Sequence, residues 1–151
     1  MKRLSKFILT FVSAIALILT STSISFSKVV GDKIILGAAV SLTGKYSSNG
    51  VHTQNGYNLA VERINSMGGV KVGGKNYKFE IIYYDDESNS GRAAQLAERL
   101  IKQDGVQFML GPYSSGLTKA MAPVTEKYGI PMVEANGASR SLFTKGYKYL
   151  F

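Results

Sequence analysis

Four short apolar runs, each closed by a cluster of small and polar residues, constrain this chain more than any other feature. The first, Lys33-Ile34-Ile35-Leu36-Gly37-Ala38-Ala39-Val40, is almost uninterrupted. A strand with one wet face alternates in polarity, whereas one covered on both faces does not, so this run reads as a strand of a parallel sheet. Residues 41–50 break the pattern with Gly, Ser, Thr and Asn, as a strand-to-helix loop does. The spacing then predicts a helix over 51–67, with Tyr57, Ala60, Val61 and Ile64 on one face. Gly56 inside that helix costs about 1 kcal/mol relative to Ala, and close packing against the sheet is its expected reason. Gly68-Gly69 ends the helix, and residues 70–76 read as a Gly-rich excursion.

The unit then repeats. Residues 77–84 begin with alternating polarity and end rich in β-formers, a strand nearer the sheet edge. Asp85-Asp86-Glu87-Ser88-Asn89-Ser90 closes it, with Ser88 or Ser90 as the expected N-cap of a helix over 91–104 that buries Ala93, Ala97, Leu100 and Ile101. A third strand over 106–110 passes through Gly111-Pro112-Tyr113-Ser114-Ser115-Gly116 into a helix over 114–128. Met121, Val124 and Tyr128 face inward there, and Lys119, Glu126 and Lys127 outward. Pro123 in mid-helix predicts a kink or a first turn given over to caps. A fourth strand over 129–133 leads to a polar loop at 134–140, a short helical stretch at 141–144 and the start of a further strand at 147–151. With right-handed crossovers, this β-α-β-α-β-α-β order predicts an α/β fold: a three-layer, Rossmann-like parallel sheet with helices on both faces.

A different segment precedes the first strand. Lys2, Arg3 and Lys6 stand before the apolar run of residues 7–19, after which the chain turns to Ser and Thr. That is the pattern of a secretory signal, and the run is shorter than the ~20 residues that span a bilayer. Residues 1–27 are therefore expected to be a signal peptide cut before Lys28, leaving 28–151 as the working domain. Removing its three basic residues from 18 leaves 15 against 10 acidic ones, about +5, scattered rather than in runs, which argues against nucleic acid as a partner. The absence of Cys removes disulfides, thiolate metal sites, cysteine nucleophiles and a lipid-bearing cysteine together. A freely soluble periplasmic protein is the expectation.

The informative loops, 41–50, 85–90, 111–116 and 134–140, all follow strands, and the topology gathers them along one sheet edge. Ser114 and Ser115 fall at the first turn of the third helix, where backbone N–H groups and the helix dipole favour a small anion. Asn136, Gly137, Ala138 and Ser139 would close the neighbouring wall, and Tyr46 and Tyr113 flank the cleft. The plainer reading makes Ser114 an N-cap and Gly137 a turn residue, and loop chemistry alone leaves both open. Catalysis has little behind it: no Gly stands two residues before either Ser, so the nucleophile elbow of serine hydrolases is missing. The single His, His52, lies near a helix start, where a solvated or capping role is the simpler one. Asp85-Asp86-Glu87 lacks a complete calcium-loop pattern, and residues 68–74 follow a helix instead of opening one, so neither a metal nor a nucleotide cofactor is expected.

The order of these residues resembles a known family. Residues 35–44 with their Ser-Leu-Thr-Gly end, Gly56 with residues 59–65 and Gly68-Gly69-Val70, Tyr84-Asp85-Asp86, residues 110–115, 129–133 and 146–151 together resemble the amino-terminal part of the branched-chain amino-acid (Leu/Ile/Val-type) substrate-binding proteins of ABC transporters. The resemblance covers nearly all of residues 33–151. It implies a lobe of a type I periplasmic binding fold, a two-lobed clamshell that holds a small amino acid, or a related carboxylate or amide, for a membrane permease. It further implies that the ligand's carboxylate and ammonium meet a serine that aligns with Ser115, beside Ser114, and the loop 136–139. There the family's Ala-x-Thr pair falls on Asn136 and Ala138, or reaches Ser139 with a one-residue shift. The loop after the first strand would lend Tyr46, Ser48 or Asn49, the last at a position where the family often has an aromatic ring. Such proteins carry a second lobe, so a chain ending at Phe151 is expected to be an incomplete first lobe. A ligand-sensing domain of a signalling system is the alternative, and a serine hydrolase a more remote one.

Overall fold

The computed structural model describes residues 31–151; the expected signal peptide lies outside the described residues. Strand β1 (Lys33–Val40) occupies the predicted run and sits in mid-sheet. It pairs in parallel with β3 (Lys75–Asp85), from Lys33 opposite Lys78 to Val40 opposite Asp85, and with β4 (Phe108–Leu110) on its other side. Having neighbours on both sides and layers on both faces is why it is apolar after Lys33. Gly37 is required there, since a Cβ would stand 2.8 Å from the Met109 sulfur and 3.0 Å from Val106.

The sheet order is β2-β3-β1-β4-β5, with β5 at Met132–Val133. All pairings are parallel except that of β2 (Val70–Val72), which runs antiparallel to the start of β3. The expected Gly-rich excursion is thus a β-hairpin. Gly73 and Gly74 have φ of 57° and 85°, the paired left-handed residues that a tight two-residue hairpin needs. Beyond Tyr77 the outer side of β3 has no strand beside it among the described residues, matching its predicted place near the edge. A further parallel ladder begins beside β5: Phe151 N–H donates to Met132 O at 3.0 Å and Glu134 N–H to Phe151 O at 2.8 Å.

Helix α1 (Ser47–Ser66) starts four residues before its predicted start. Its first turn lies hard against the end of β1, because a Cβ on Gly50 would come 1.9 Å from the Ser41 carbonyl oxygen. Gly56 corrects the sequence expectation: it is exposed, and a Cβ there would meet nothing within 4 Å. Helix α2 (Ser90–Lys102) is capped by Asn89, whose side chain accepts the Arg92 N–H at 2.9 Å, and not by Ser88 or Ser90. Ala93, Leu96, Ala97 and Leu100 form its buried stripe, with Ile101 at the margin. Helix α3 (Ser115–Tyr128) runs unbroken through Pro123, whose ring is exposed, and ends at Gly129 in the left-handed conformation.

Right-handed crossovers send α1 to one face as the chain steps from β1 to β3. They send α2 and α3 to the other as it steps back through β4 to β5. The main core lies between α2, α3 and the sheet, around Leu100, Met109, Leu117, Met121 and Met132. On the α1 face, Tyr57, Ala60, Val61 and Ile64 line an apolar groove of about 440 Å³ over the sheet. The chain leaves β1 and β4 in opposite directions, so the crevice between their carboxyl ends is the switch point where open α/β sheets hold ligands. Among the described residues no helix is long and apolar enough to cross a membrane.

Candidate ligand-binding site

Two carboxylates at the end of β3 shape one side of this crevice. Asp85 accepts the N–H groups of Leu42 (2.9 Å), Thr43 (3.2 Å) and Glu87 (2.9 Å) and the Thr43 hydroxyl (2.7 Å). Burial alone would raise its pKa, but these four donors win and hold it below the ordinary value. Asp86, fully buried, accepts the Ser41 hydroxyl at 2.6 Å and the Ser88 N–H at 2.8 Å, and burial pushes its pKa up against those bonds. The Ser88 hydroxyl donates to Thr43 O and accepts the Tyr46 N–H, so it caps α1 from the neighbouring loop. Glu87 and Ser88 adopt left-handed φ of 54° and 58° to make this clamp. The acidic run therefore ties loop 41–46 to loop 86–90. Among the described residues no three His, Cys, Asp or Glu side chains converge as a metal ion requires.

The clamp presents Tyr46. Its ring meets that of Tyr113 edge-on, centroids 5.6 Å apart, at the mouth of the crevice.

The loop after β4 supplies the opposite side. Ser114 (φ 83°) is the N-cap of α3: its hydroxyl accepts the Leu117 N–H at 3.4 Å, and its carbonyl accepts the Thr118 N–H at 3.1 Å. Ser115 is the first helical residue, and its hydroxyl accepts the Ser139 N–H at 3.0 Å, joining the two loops that the sequence paired. The N–H groups of Ser115 and Gly116 lie in the first turn, where no intrahelical acceptor exists, at the positive end of the helix dipole. Neither Ser114 nor Ser115 hydrogen-bonds to His52 among the described residues.

Glu134 was not singled out by sequence. Its carboxylate accepts the N–H groups of Asn136 and Gly137 on one oxygen and the Thr118 hydroxyl on the other. Space for it depends on two glycines: a Cβ on Gly111 would stand 2.3 Å from its Oε2, and one on Gly137 would stand 3.0 Å from its Cγ. Burial raises the Glu134 pKa against these three bonds. The Tyr57 hydroxyl donates to Gly111 O at 2.7 Å, and its pKa is pushed up, first by burial and then by the Glu134 charge.

Between α1, Tyr113 and the loop after β5 lies a recess of about 400 Å³, lined by Asn49, His52, Thr53, Gly56, Tyr57, Tyr113, Ala135 and Asn136. Of the sequence candidates, Asn49, Tyr113 and Asn136 line it directly. Tyr46 packs on Tyr113 at its edge, and Ser115 and Ser139 are bonded to each other. Ser114 is committed to capping, Gly137 to holding Glu134, and Ala138 is exposed. His52, Thr53, Gly56 and Tyr57 were missed as site residues. They recur on one side of α1 at spacings of three and four, a signal the stripe at 57, 60, 61 and 64 overshadowed.

The sequence model of a family described as periplasmic binding protein matches residues 33–151. A leucine-, isoleucine-, valine-, threonine- and alanine-binding protein of Pseudomonas aeruginosa is 28% identical over 120 residues, covering 80% of this chain and 31% of that protein. Among solved structures, the branched-chain amino acid transporter substrate-binding protein LivJ of Streptococcus pneumoniae, in complex with isoleucine, is 33% identical with a TM-score of 0.71. That match covers 79% of this chain and 33% of LivJ. A solute-binding protein of an ABC transporter from Rhodopseudomonas palustris, in complex with 3,4-dihydroxybenzoic acid, is 28% identical with a TM-score of 0.66 over 79% of this chain and 31% of its own. The chain thus spans about one third of the length of these proteins. By the match along its whole described domain and the lobe it folds into, the chain belongs to the periplasmic binding protein family.

Proposed function

We propose that this chain supplies the first ligand-holding lobe of an exported, non-enzymatic solute-binding protein. That protein takes a small amino acid, or a related carboxylate or amide, and delivers it to an ABC permease in the inner membrane. The observation that carries this reading is the joining of loops 111–116 and 134–140 through Ser115 and Ser139 at the switch point, beside the Ser115 and Gly116 N–H groups in the first turn of α3. A ligand carboxylate fits there: Ser115 offers a hydroxyl, the N–H groups of Ser115 and Gly116 offer donors, and the helix dipole favours the charge. Asn136, Ala138 and Ser139 form the adjoining wall, and Tyr46, Tyr113 and Asn49 bound the space for the rest of the molecule. The isoleucine held by the Streptococcus relative and the name of the Pseudomonas one support an amino-acid ligand. An N-terminal signal over residues 1–27 accords with a periplasmic site of action, with 28–151 as the mature part of the lobe.

Calorimetry of the mature full-length protein against the proteinogenic amino acids and small carboxylates tests this. Saturable heat with one of them is expected. No heat with any of them, together with turnover of a model ester that Ser115→Ala abolishes, would replace the reading with a hydrolase.

A further inference from the structure

The recess of about 400 Å³ beside α1 has walls unsuited to an aliphatic group. Among the described residues no Leu, Ile, Val, Met or Phe lines it, in contrast to the groove over the sheet, where Ile34, Leu36, Val61 and Val133 do. Its lining is mostly polar or aromatic, and several of the polar groups have no task within the fold. Asn49, His52 and Thr53 share one side of α1, the latter two at spacings of three and four from the first. The Thr53 hydroxyl is committed to the Asn49 carbonyl at 2.9 Å. The side chains of Asn49 and His52, by contrast, make no hydrogen bond or ion pair among the described residues.

Asn136 meets them from the loop after β5, and Tyr57 decides which way its amide turns. The Tyr57 hydrogen is committed to Gly111 O at 2.7 Å, so toward Asn136 the phenol oxygen only accepts. Burial and then the Glu134 charge raise the Tyr57 pKa, and the Asn136 side chain acts the other way, as a donor to that oxygen does. The Asn136 amide therefore gives its NH2 to Tyr57 and is left with its carbonyl oxygen as an acceptor. On α1, the Asn49 amide and a neutral His52 imidazole each offer a donor and an acceptor. A solute group that both donates and accepts answers this set. A methyl-ended chain would strip water from these side chains and return no hydrogen bond.

We infer that the recess takes the end of the solute remote from its carboxylate and that this end is a neutral hydrogen-bonding group, a carboxamide or a hydroxyl, with His52, Asn49 and Asn136 as its specificity-determining residues. The inference rests on the solute-binding reading above and narrows its ligand class, away from the aliphatic isoleucine of the Streptococcus relative. It is tested on the mature full-length protein by calorimetry with each proteinogenic amino acid and with 4-hydroxybenzoate and 4-methylbenzoate. Asparagine with leucine, and threonine with valine, are near-isosteric pairs that differ in the group concerned. The tightest ligand is expected to carry a carboxamide or hydroxyl and to bind at least about tenfold more tightly than its apolar counterpart. His52→Leu and Asn49→Leu should each lower that ratio about threefold or more by weakening the polar member, and His52→Gln should keep most of it. Both side chains are exposed on α1, so these replacements leave the fold intact. An aliphatic, charged or methylated solute bound as tightly as the best polar one overturns the inference, as does a ratio that neither His52→Leu nor Asn49→Leu changes. Absence of heat with every amino acid and both benzoates would instead sink the solute-binding reading itself.

Discussion

The Ser115 hydroxyl accepts the Ser139 backbone N–H at 3.0 Å, so the two loops proposed to hold a ligand are already bonded to one another across the end of the sheet. A bound carboxylate would meet a wall whose parts are in place, and the ordering cost of binding falls accordingly. Ser115→Ala removes both the bridge and the hydroxyl proposed to face the ligand. Affinity of the full-length protein for its ligand is expected to drop by about 1–3 kcal/mol, the range for a hydrogen bond to a charged group. Calorimetry reads this directly, and unchanged affinity would remove Ser115 from the site.

Gly111 and Glu134 make a second such pair. A methyl group at residue 111 would stand 2.3 Å from Glu134 Oε2 and 3.0 Å from Glu134 Cα. Gly111→Ala is expected to destabilise the protein by about 1–3 kcal/mol, as overpacking does. Combining it with Glu134→Ala should cost less than the two single changes together, because the shorter side chain vacates the slot. A double-mutant cycle from chemical denaturation measures that coupling, and strict additivity would mean the clash is absorbed elsewhere.

The sequence made the layers legible and the wiring of the site much less so. Residues 33–40 announce a doubly covered strand because burial leaves a compositional trace, and the helices announce themselves through their period. The hairpin at Val70–Val72 was missed although Gly73-Gly74 between β-formers is a two-residue turn signal; flanking glycines at 68 and 69 made the stretch look like loop. Ser88, offered with Ser90 as the cap of α2, instead accepts the Tyr46 N–H at the start of α1, a contact 42 residues distant in sequence that no local pattern encodes. Glu134 escaped for the same reason. A carboxylate folded back on its own loop looks, in sequence, like any polar residue after a strand.

Acid sensitivity should follow Asp85. Although burial opposes it, the Thr43, Glu87 and Leu42 donors keep its folded pKa below the ordinary 3.8. A depressed carboxylate contributes stability that is complete above its unfolded value and is lost as pH falls through the folded one, so the loss lies below about pH 4. Glu134 and Asp86, whose pKa values burial raises, act with the opposite sign: each contributes most at low pH, and that contribution declines as pH rises through its folded value. Asp85→Asn keeps one carbonyl acceptor and loses the charge. It should destabilise the protein by about 1–2 kcal/mol at neutral pH and by less near pH 3. Thermal melts of both proteins from pH 3 to pH 7 check this, and a constant difference across the range would contradict it.

Gly56 separates stability from binding. It lies inside α1, where Gly costs about 1 kcal/mol relative to Ala, yet no neighbour demands its smallness: a Cβ there would meet nothing within 4 Å. Helical stability alone would therefore favour Ala. The open side of Gly56 faces the recess shared with His52, Thr53, Tyr57 and Tyr113, where a ligand or a closing partner lobe would need the room. Gly56→Ala is accordingly expected to raise stability by about 0.5–1 kcal/mol while weakening ligand binding, the exchange common at functional positions. Melting curves and calorimetry on one preparation read both effects. A gain in stability with affinity intact would place the ligand away from this side of α1, and a loss of stability would show a steric demand on Gly56 from a neighbour outside residues 31–151.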